Sequence, residues 1–235
     1  MRDLALLSPG RVPYARAYEL MHDLAERRAR DEVPDTLVLL EHPPTYTAGR
    51  RSDPAHLLLA EAEIERSGAE LHFVDRGGSV TFHGPGQLVG YPIVHLGPGM
   101  DVIAHLRAIE EVVIRAAADL GVTLHRDPDH TGVWAGDRKV GAIGVRVSRG
   151  VTLHGFAINC DTDLRWFDAI VPCGLTDRTV GSLSMLAGRP IGIADAMEPV
   201  ARRFEEVFEA RLAPADPGLT EEWTRRLSTL ERTPR

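Results

Sequence analysis

The stretch RGGSVTFHGPGQLVGYP, residues 76–92, constrains this chain most, because it contains five glycines, two prolines and no carboxylate. Glycine adopts positive φ angles and lets another group approach the backbone closely. The stretch therefore predicts strands divided by turns, at Gly77 and Gly78 and again at Gly84 and Gly86. A thin, extended ligand could lie against its backbone N–H and C=O groups. The composition leaves open a simpler alternative, a glycine-rich hairpin with a hydrogen-bonded histidine.

The same stretch lacks the two glycine motifs that bind nucleotides. Neither GxGxxG nor GxxxxGK[ST] occurs in it. These motifs place glycines where a helix N-terminus or a loop cradles phosphate groups. The stretch therefore supports neither a dinucleotide-binding fold nor a phosphate loop.

Apolar periodicity in the rest of the chain predicts an α+β fold, with a mixed, largely antiparallel sheet flanked by helices. Helices are expected at 12–30, 54–66, 101–120 and 193–212, and strands at 36–41, 69–75, 79–82, 87–95, 131–135, 138–147 and 151–159. Residues 42–54 are expected to form a loop, because two adjacent prolines remove backbone donors. We expect one catalytic domain over residues 1–212 and a C-terminal tail over 213–235.

Charge and cysteine content exclude several classes of protein. The formal net charge is −7 and the basic residues form only short clusters, which argues against a nucleic-acid surface. The apolar run at residues 4–7 is too short for a signal peptide or a membrane span. Two cysteines do not make a disulfide framework. We therefore expect a cytoplasmic protein that contacts no membrane and has free thiols.

One cysteine and one lysine are candidates for chemistry. Cys173 lies in VPCGL, a turn sequence, whereas Cys160 in AINCDTD fits an inert core thiol. A cysteine nucleophile needs a nearby cation or base. Lys139 is the only lysine among 27 basic residues, and lysine, unlike arginine, exchanges a proton once it is desolvated. Two alternatives stay open at this point, an inert Cys173 and a lysine retained by chance.

The segment HRDPDH, residues 125–130, offers two imidazoles and two carboxylates. Its central proline favours a solvated turn over a metal site. Neither CxxC nor HExxH occurs elsewhere in the chain. We therefore predict no metal.

Three stretches together resemble one family. RGGSVTFHGPGQLVGYP, RKVGAIGVRVSRGVTLHGFAINC and PCGL are similar to the lipoyl(octanoyl) transferases, and the first matches the family pattern RGGxxT(F/Y)HxxGQ at every fixed position. The resemblance implies the fold of the biotin and lipoate protein ligase catalytic domains. It also implies an acyltransferase that moves an octanoyl group from octanoyl-acyl carrier protein to a lysine of lipoyl domains. The implied acceptors are the lipoyl domains of 2-oxoacid dehydrogenase complexes and the glycine cleavage H protein, and no cofactor is implied.

The resemblance also assigns roles to individual residues. Cys173 becomes the nucleophile that carries the acyl group as a thioester, and Lys139 the group that lowers its pKa. The implied walls of the acyl site are Arg76, Gly77, Gly78, Ser79, Val80, Thr81, Phe82, His83, Ala142, Ile143, Gly144, Gly155, Phe156 and Ala157. His83 could orient the reacting carbonyl or only hold the glycine turn, and a structural role is favoured for His154.

Two other functions fit parts of the pattern. The first is an ATP-dependent lipoate or biotin protein ligase on the same fold, in which Cys173 would be incidental; the HGPG turn and the PCG sequence disfavour it. The second is a non-catalytic protein that binds acyl chains or carrier domains. Four arginines, Arg50, Arg51, Arg146 and Arg149, are candidates for holding acidic partners, although solvated arginines are commoner.

Overall fold

The computed structural model describes residues 2–97, 99, 101–171 and 178–228. The helices are α1 (Tyr14–Ala29), α2 (Glu61–Arg66), α3 (Val102–Asp119), α4 (Leu183–Ala187), α5 (Ile193–Phe208) and α6 (Pro217–Ser228). The strands are β1 (Arg2–Arg11), β2 (Thr36–Glu41), β3 (Thr45–Ala48), β4 (Glu70–Phe73), β5 (Val80–His83), β6 (Gln87–Ile93), β7 (His125–Arg126), β8 (Val133–Ala135), β9 (Arg138–Ser148), β10 (Val151–Asn159), β11 (Thr179–Val180) and β12 (Ala210–Pro214).

The described strands form two sheets. The larger sheet has the order β12-β1-β2-β6-β10-β9-β8-β7, with β11 paired to β9, and the smaller sheet has the order β4-β3-β5. Pairs along the larger sheet are antiparallel from β2 to β7, while β12, β1 and β2 run parallel. This arrangement confirms the predicted α+β class with a mixed, largely antiparallel sheet.

The hairpin of β9 and β10 forms the centre of the fold. Its turn contains Arg149 at φ +50° and Gly150 at φ +78°, the two positive φ values that a two-residue turn between twisted strands requires. The register pairs Gly144 with Gly155 and Ala142 with Ala157. The hairpin therefore places two of the predicted wall segments side by side.

Helices cover both faces of the larger sheet. On β2, Leu37 and Leu39 pack toward α3 and α5, whereas Val38 and Leu40 pack toward α1. All four of these side chains are buried. Burial on both faces explains why TLVLLE is a continuous apolar run rather than an alternating one. The smaller sheet has its own aromatic cluster, built on Tyr46, Phe82 and Phe167 with Trp166 packed against it.

The structure corrects the sequence predictions at two places between residues 42 and 66. Residues 42–54 are not all loop, because Thr45–Ala48 forms β3 directly after Pro44; the prolines remove donors only before the strand, and Thr45–Ala48 begins with residues that favour strands. The predicted helix at 54–66 is divided into a short 3₁₀ turn, Pro54–His56, and α2. Between them Leu57 is extended and bridges Ile170.

The ends of the chain also differ from expectation. Residues 2–11 form β1, which the sequence analysis did not predict. The helix predicted to reach residue 212 ends at Phe208, because Glu209 adopts φ +49°, and β12 follows and pairs with β1. Within the predicted tail, Leu219 and Trp223 of α6 are buried beside α1. The boundary at residue 212 stays a prediction.

None of the helices in the described ranges combines the length and the apolar character that crossing a bilayer demands.

Candidate active site

A pocket lies between the segment that leads into β5 and the β9–β10 hairpin. Every predicted wall residue except Phe82 lines it: Arg76, Gly77, Gly78, Ser79, Val80, Thr81, His83, Ala142, Ile143, Gly144, Gly155, Phe156 and Ala157. Lys139 and four further residues, Tyr14, Val89, Tyr91 and His154, complete the lining among the described residues. The pocket has a volume of about 60 Å³. Folding therefore brings the glycine-rich segment around residues 76–83 together with the β9–β10 hairpin, which is distant from it in sequence.

Phe82 faces away from this pocket. Its side chain is fully buried in the aromatic cluster of the smaller sheet, and its ring stacks on Trp166 with centroids 5.3 Å apart. Neighbouring residues of a strand point to opposite faces, so Thr81 and His83 of β5 line the pocket while Phe82 supports the wall from behind.

Cys173 lies outside the described residues, and its predicted role stays a prediction. The residues on either side of its segment are held beside the pocket. The Val171 amide donates to the His56 carbonyl at 2.9 Å, and the His56 ring contacts the Ser79 hydroxyl at 2.8 Å. On the other side Val180 pairs with Lys139.

Lys139 is buried in the wall, with 8% of its surface exposed. Its Nζ atom lies 5.2 Å from the centre of the Trp134 ring. Gly132 makes room for the side chain: a Cβ added there would lie 2.7 Å from Cε of Lys139. The lysine is therefore packed in one position rather than extended into solvent.

The glycines of the wall serve the packing of the backbone as well as the pocket. A Cβ on Gly155 would lie 2.2 Å from the Gly90 carbonyl oxygen, and one on Gly144 would lie 3.0 Å from the Gly77 carbonyl oxygen. Gly78 has φ +89°, which L side chains rarely adopt. The sequence analysis explained Gly77 and Gly78 by turns and by the approach of a ligand, and it named Gly144 and Gly155 only as implied walls of the acyl site. In the structure, close contact between wall segments is a second reason for them.

Arg76 ties the glycine segment to β3. Its guanidinium donates to the Thr47 carbonyl at 2.6 Å, to the Thr47 hydroxyl at 2.8 Å and to the Gly77 carbonyl at 3.0 Å. With 8% exposure, it is a structural cation inside the pocket wall. The smaller sheet therefore positions the wall directly.

His83 belongs to a buried chain of hydrogen bonds. Gln87 donates from its amide nitrogen to Asn159 at 2.9 Å and to the Phe82 carbonyl, so its amide oxygen accepts from Nδ1 of His83 at 2.8 Å. Asn159 in turn donates to the Gly181 carbonyl at 2.9 Å. These partners require a proton on Nδ1 of His83 and leave Nε2 as an acceptor. Burial, followed by the nearby His42, lowers the pKa of His83 well below its usual value.

His154 combines a structural and a lining role. It adopts φ +60°, an uncommon conformation for a residue with a side chain. Its Nε2 atom donates to Asp75 at 2.7 Å. Asp75 also pairs with Arg146. The structural role expected for His154 fits this network, although the ring also faces the pocket.

The four arginines proposed for acidic partners are in different situations. Arg146 is bound to Asp75. Arg50 and Arg51 are exposed, and their backbone amides bond to the carbonyls of Arg76 and Gly78. Across the described ranges no carboxylate lies within ion-pair distance of Arg50, Arg51 or Arg149. Arg50 and Arg51 therefore lie next to the pocket wall.

Sequence reasoning missed several residues of the site. Gln87 is a fixed position of the HxxGQ pattern, so the pattern could have assigned it to the network. Tyr14 in α1 and Thr47 in β3 lie outside the glycine stretch. Tyr91 in β6 lies within the stretch but holds no fixed position of the family pattern. Their contribution depends on how the elements pack, which no local signal indicates.

Buried neutral histidines make stability depend on pH. Burial lowers the pKa of His42 to about 4 and that of His105 to about 4, and it lowers that of His83 further below normal. In the unfolded chain these groups titrate near about 6.5. Their contribution to stability is therefore present above pH 6.5 and is lost as the pH falls toward 4. At pH 5 each histidine should lower the free energy of unfolding by about 2 kcal/mol relative to pH 7.5.

Urea denaturation at the two pH values measures this effect. His105→Leu provides the matched control, because the His105 ring packs against Phe208 and does not line the pocket. In this variant the loss of unfolding free energy between pH 7.5 and pH 5 should be smaller by about 2 kcal/mol, the contribution of one histidine. An unfolding free energy that stays constant between pH 7.5 and 5 would rule out this description of the buried histidines.

The HRDPDH segment begins with β7 (His125–Arg126), and Asp127 holds the bend that follows. One carboxylate oxygen of Asp127 accepts the amides of Asp129 and His130 at 2.9 and 3.0 Å, and the other accepts from Arg178. In the parts of the chain that are described, no group of three or more histidine, cysteine or carboxylate side chains is arranged to hold a metal ion.

Comparison with known proteins identifies the family. The model of the lipoyl protein ligase A/B catalytic domain matches residues 13–205. An octanoyltransferase of Acidothermus cellulolyticus is 48% identical over 219 residues, which cover 91% of this chain and 94% of the relative. A bipartite lipoate protein ligase of Thermoplasma acidophilum superimposes with a TM-score of 0.71 at 18% identity, covering 97% and 92% of the two chains.

The biotin protein ligase of Aquifex aeolicus, solved with biotin and ATP, is more distant. Its TM-score is 0.53 at 13% identity, over 89% of this chain and 71% of that one. The two structural likenesses establish the fold that the resemblance implied. The sequence match to the octanoyltransferase is more specific, because it identifies the family within that fold. The chain belongs to the octanoyltransferases, acyltransferases of the lipoyl protein ligase A/B catalytic domain family.

Proposed function

We propose that this protein transfers an octanoyl group from octanoyl-acyl carrier protein to a lysine of lipoyl domains, through a thioester on Cys173. One observation carries the proposal: a narrow pocket lined by glycine and apolar residues runs past the buried amine of Lys139. An eight-carbon chain in such a pocket gains about 0.8 kcal/mol for each methylene removed from water. The names of the relatives support the octanoyl group.

The residues that flank the Cys173 segment support the covalent step. Cys173 follows Val171 by two residues, and two residues span at most about 7 Å. Val171 is hydrogen-bonded to His56, which contacts the pocket residue Ser79. Val171 and Val180 line one cavity. Both flanks of the segment therefore lie by one cavity, and one of them, Val180, pairs with Lys139.

In the first half-reaction, the Lys139 amine takes the proton of the Cys173 thiol. The thiolate forms a bond to the carbonyl carbon of the octanoyl thioester, and the bond between that carbon and the carrier sulfur breaks. The carrier thiolate leaves with the proton from Lys139. Because one thioester replaces another, the step requires no nucleotide.

In the second half-reaction, the ε-amine of the acceptor lysine attacks the octanoyl-cysteine. A C–N bond forms and the C–S bond to Cys173 breaks. Lys139 takes a proton from the amine and returns one to the cysteine sulfur. The products are an amide and the free thiol, so the enzyme is ready for another cycle.

The remaining site residues hold the acyl chain and shape its pocket. The glycines at 77, 78, 144 and 155 keep the walls close, and Phe82 supports the wall from its outer side. His83 has a fixed tautomer, so its Nε2 atom accepts and does not donate a proton. This favours a positioning role for His83, not that of a general acid.

The partners follow from the chemistry of the two half-reactions. The donor must present an octanoyl thioester, and the acceptor a lysine on a lipoyl domain of a 2-oxoacid dehydrogenase complex or on the glycine cleavage H protein. The Thermoplasma acidophilum ligase was solved as part of a lipoylation system that includes an E2 lipoyl domain. The fold that this protein shares with that ligase supports a lipoyl domain as the acceptor.

Transfer without nucleotide is the test of this function. The protein is incubated with octanoyl-acyl carrier protein and an unmodified lipoyl domain in the absence of ATP, and the mass of the lipoyl domain is recorded. We expect one octanoyl group per lipoyl domain, at an unchanged rate when ATP is added. Transfer of free octanoate only with ATP would indicate a ligase, and no transfer under either condition would indicate a binding protein.

A further inference from the structure

The register of the central strands gives the pocket a direction. Lys139 lies near the start of β9 and Gly144 lies five residues further along it. At about 3.3 Å per residue, these two backbone positions are about 16 Å apart. Gly155 pairs with Gly144, so both glycines mark the same level. The pocket therefore extends from the Lys139 end to an end formed around the two glycines, which we call the glycine end.

Three aromatic or imidazole side chains lie at the glycine end. His154 directly precedes Gly155. Tyr91 follows Gly90, whose carbonyl oxygen would contact a Cβ on Gly155. Tyr14 is linked to the same place through Tyr18: the ring centroids of Tyr14 and Tyr18 are 6.4 Å apart, and those of Tyr18 and His154 are 6.0 Å apart. All three residues therefore belong to the lining of the pocket, and Tyr91 and His154 lie beside the paired glycines.

Of these three side chains, only that of Tyr14 makes no hydrogen bond with another described residue. Tyr91 contacts Nε2 of His42 at 2.8 Å, and His154 contacts Asp75 at 2.7 Å. The Tyr14 hydroxyl has no partner among the residues described, although the residue is only 2% exposed. Tyr91 and His154 therefore also hold the fold together, whereas the Tyr14 ring contributes its volume.

The Tyr14 ring is held firmly in place. Tyr14 is the first residue of α1, and the turn that starts this helix is closed by the Pro13 carbonyl, which accepts from Arg16 and Ala17. Val12, the residue before Pro13, donates its amide to the Glu41 carbonyl at 2.8 Å. The Tyr14 ring is nearly parallel to that of His83, at an interplanar angle of 11° and a centroid distance of 5.9 Å. The backbone of Tyr14 is therefore fixed by the start of α1, and the rings of His42 and His83, with centroids 5.2 and 5.9 Å away, pack against its side chain.

We propose that the Tyr14 ring is the stop that sets the length of the acyl chain this enzyme accepts. The proposal rests on the proposed function, since it names the feature that selects the octanoyl group. A chain that enters from the Lys139 end fills the space up to Tyr14. Removal of the ring opens room beyond the glycine end for additional methylenes.

Competition between donors tests the proposal. Octanoyl-, decanoyl- and dodecanoyl-acyl carrier protein are mixed in equal amounts with a lipoyl domain, and the masses of the products give the ratios of kcat/KM. The variants are Tyr14→Ala, Tyr14→Leu and Tyr14→Phe. In Tyr14→Ala and Tyr14→Leu we expect the decanoyl-to-octanoyl ratio to rise by about fifteen-fold, because each buried methylene is worth about fourfold. Tyr14→Phe keeps the ring and should keep the wild-type ratio.

Tyr18→Ala is the matched control, because Tyr18 lies one turn further along α1 and is not among the pocket residues. It should leave the ratio unchanged. The leucine variant tests the proposal if the alanine variant does not fold. Transfer of octanoyl with an unaltered ratio in both variants would overturn the inference and leave the proposed function intact. Wild-type protein that transfers no acyl group would overturn both.

Discussion

Replacement of Cys173 by alanine is expected to reduce octanoyl transfer by at least about 10³-fold, as losses of covalent nucleophiles do in other enzymes. The acyl group then has no protein atom to which it can be bound between donor and acceptor. The rate of product formation is measured with octanoyl-acyl carrier protein and a lipoyl domain. Thermal unfolding of the variant verifies that it is folded, so that the lost activity reflects the missing thiol.

The second cysteine provides the matched control. Cys160 is fully buried, and burial raises the pKa of its thiol to about 12, so it is inert at neutral pH. Cys160→Ala should cost some stability and leave transfer within a few-fold of wild type. If Cys173→Ala were as active as Cys160→Ala, the covalent mechanism would have to be abandoned.

Replacement of Lys139 by methionine is expected to lower kcat by about 10²- to 10⁴-fold, the usual contribution of a general acid and base. Methionine fills most of the space beside Trp134 and Gly132 but holds no proton. The defect should diminish as the pH rises toward about 8.5, where a free cysteine thiol ionises without help. A pH profile of kcat for both proteins provides the measurement.

Lys139→Arg separates charge from proton exchange. Arginine keeps the positive charge but does not release a proton near neutral pH. A loss close to that of the methionine variant supports proton transfer by Lys139. Near-normal turnover of the arginine variant would mean that only the charge is needed and that Lys139 is not the base.

The sequence predicted the centre of this fold better than its edges. The hairpin of β9 and β10, helix α3 and the apolar strand β2 have strong local patterns, and the structure confirms them. The pairing of β1 with β12 joins residues more than two hundred positions apart. Neither strand has a local signal that indicates its partner, so the contact follows only from the closure of the whole sheet.

The candidate site divides in the same way. The family resemblance implied which backbone segments form the walls, and glycine is required wherever segments approach as closely as Gly155 and Gly90 do. It did not predict that Phe82 supports the wall from outside, although strand alternation implies it once β5 is recognised. Tyr14 could not be predicted, because its place in the pocket depends on how α1 packs across β6 and β10.

The most direct test of the mechanism is to capture the acyl-enzyme. The protein is mixed with octanoyl-acyl carrier protein without an acceptor, quenched in acid and digested, and the octanoyl group is located by mass spectrometry. We expect one octanoyl group on the peptide that contains Cys173, none on Cys160, and transfer of that group to a lipoyl domain added before the quench. An octanoyl group found on another residue, or product formed with no acyl-enzyme in a single turnover, would contradict a thioester on Cys173 beside Lys139.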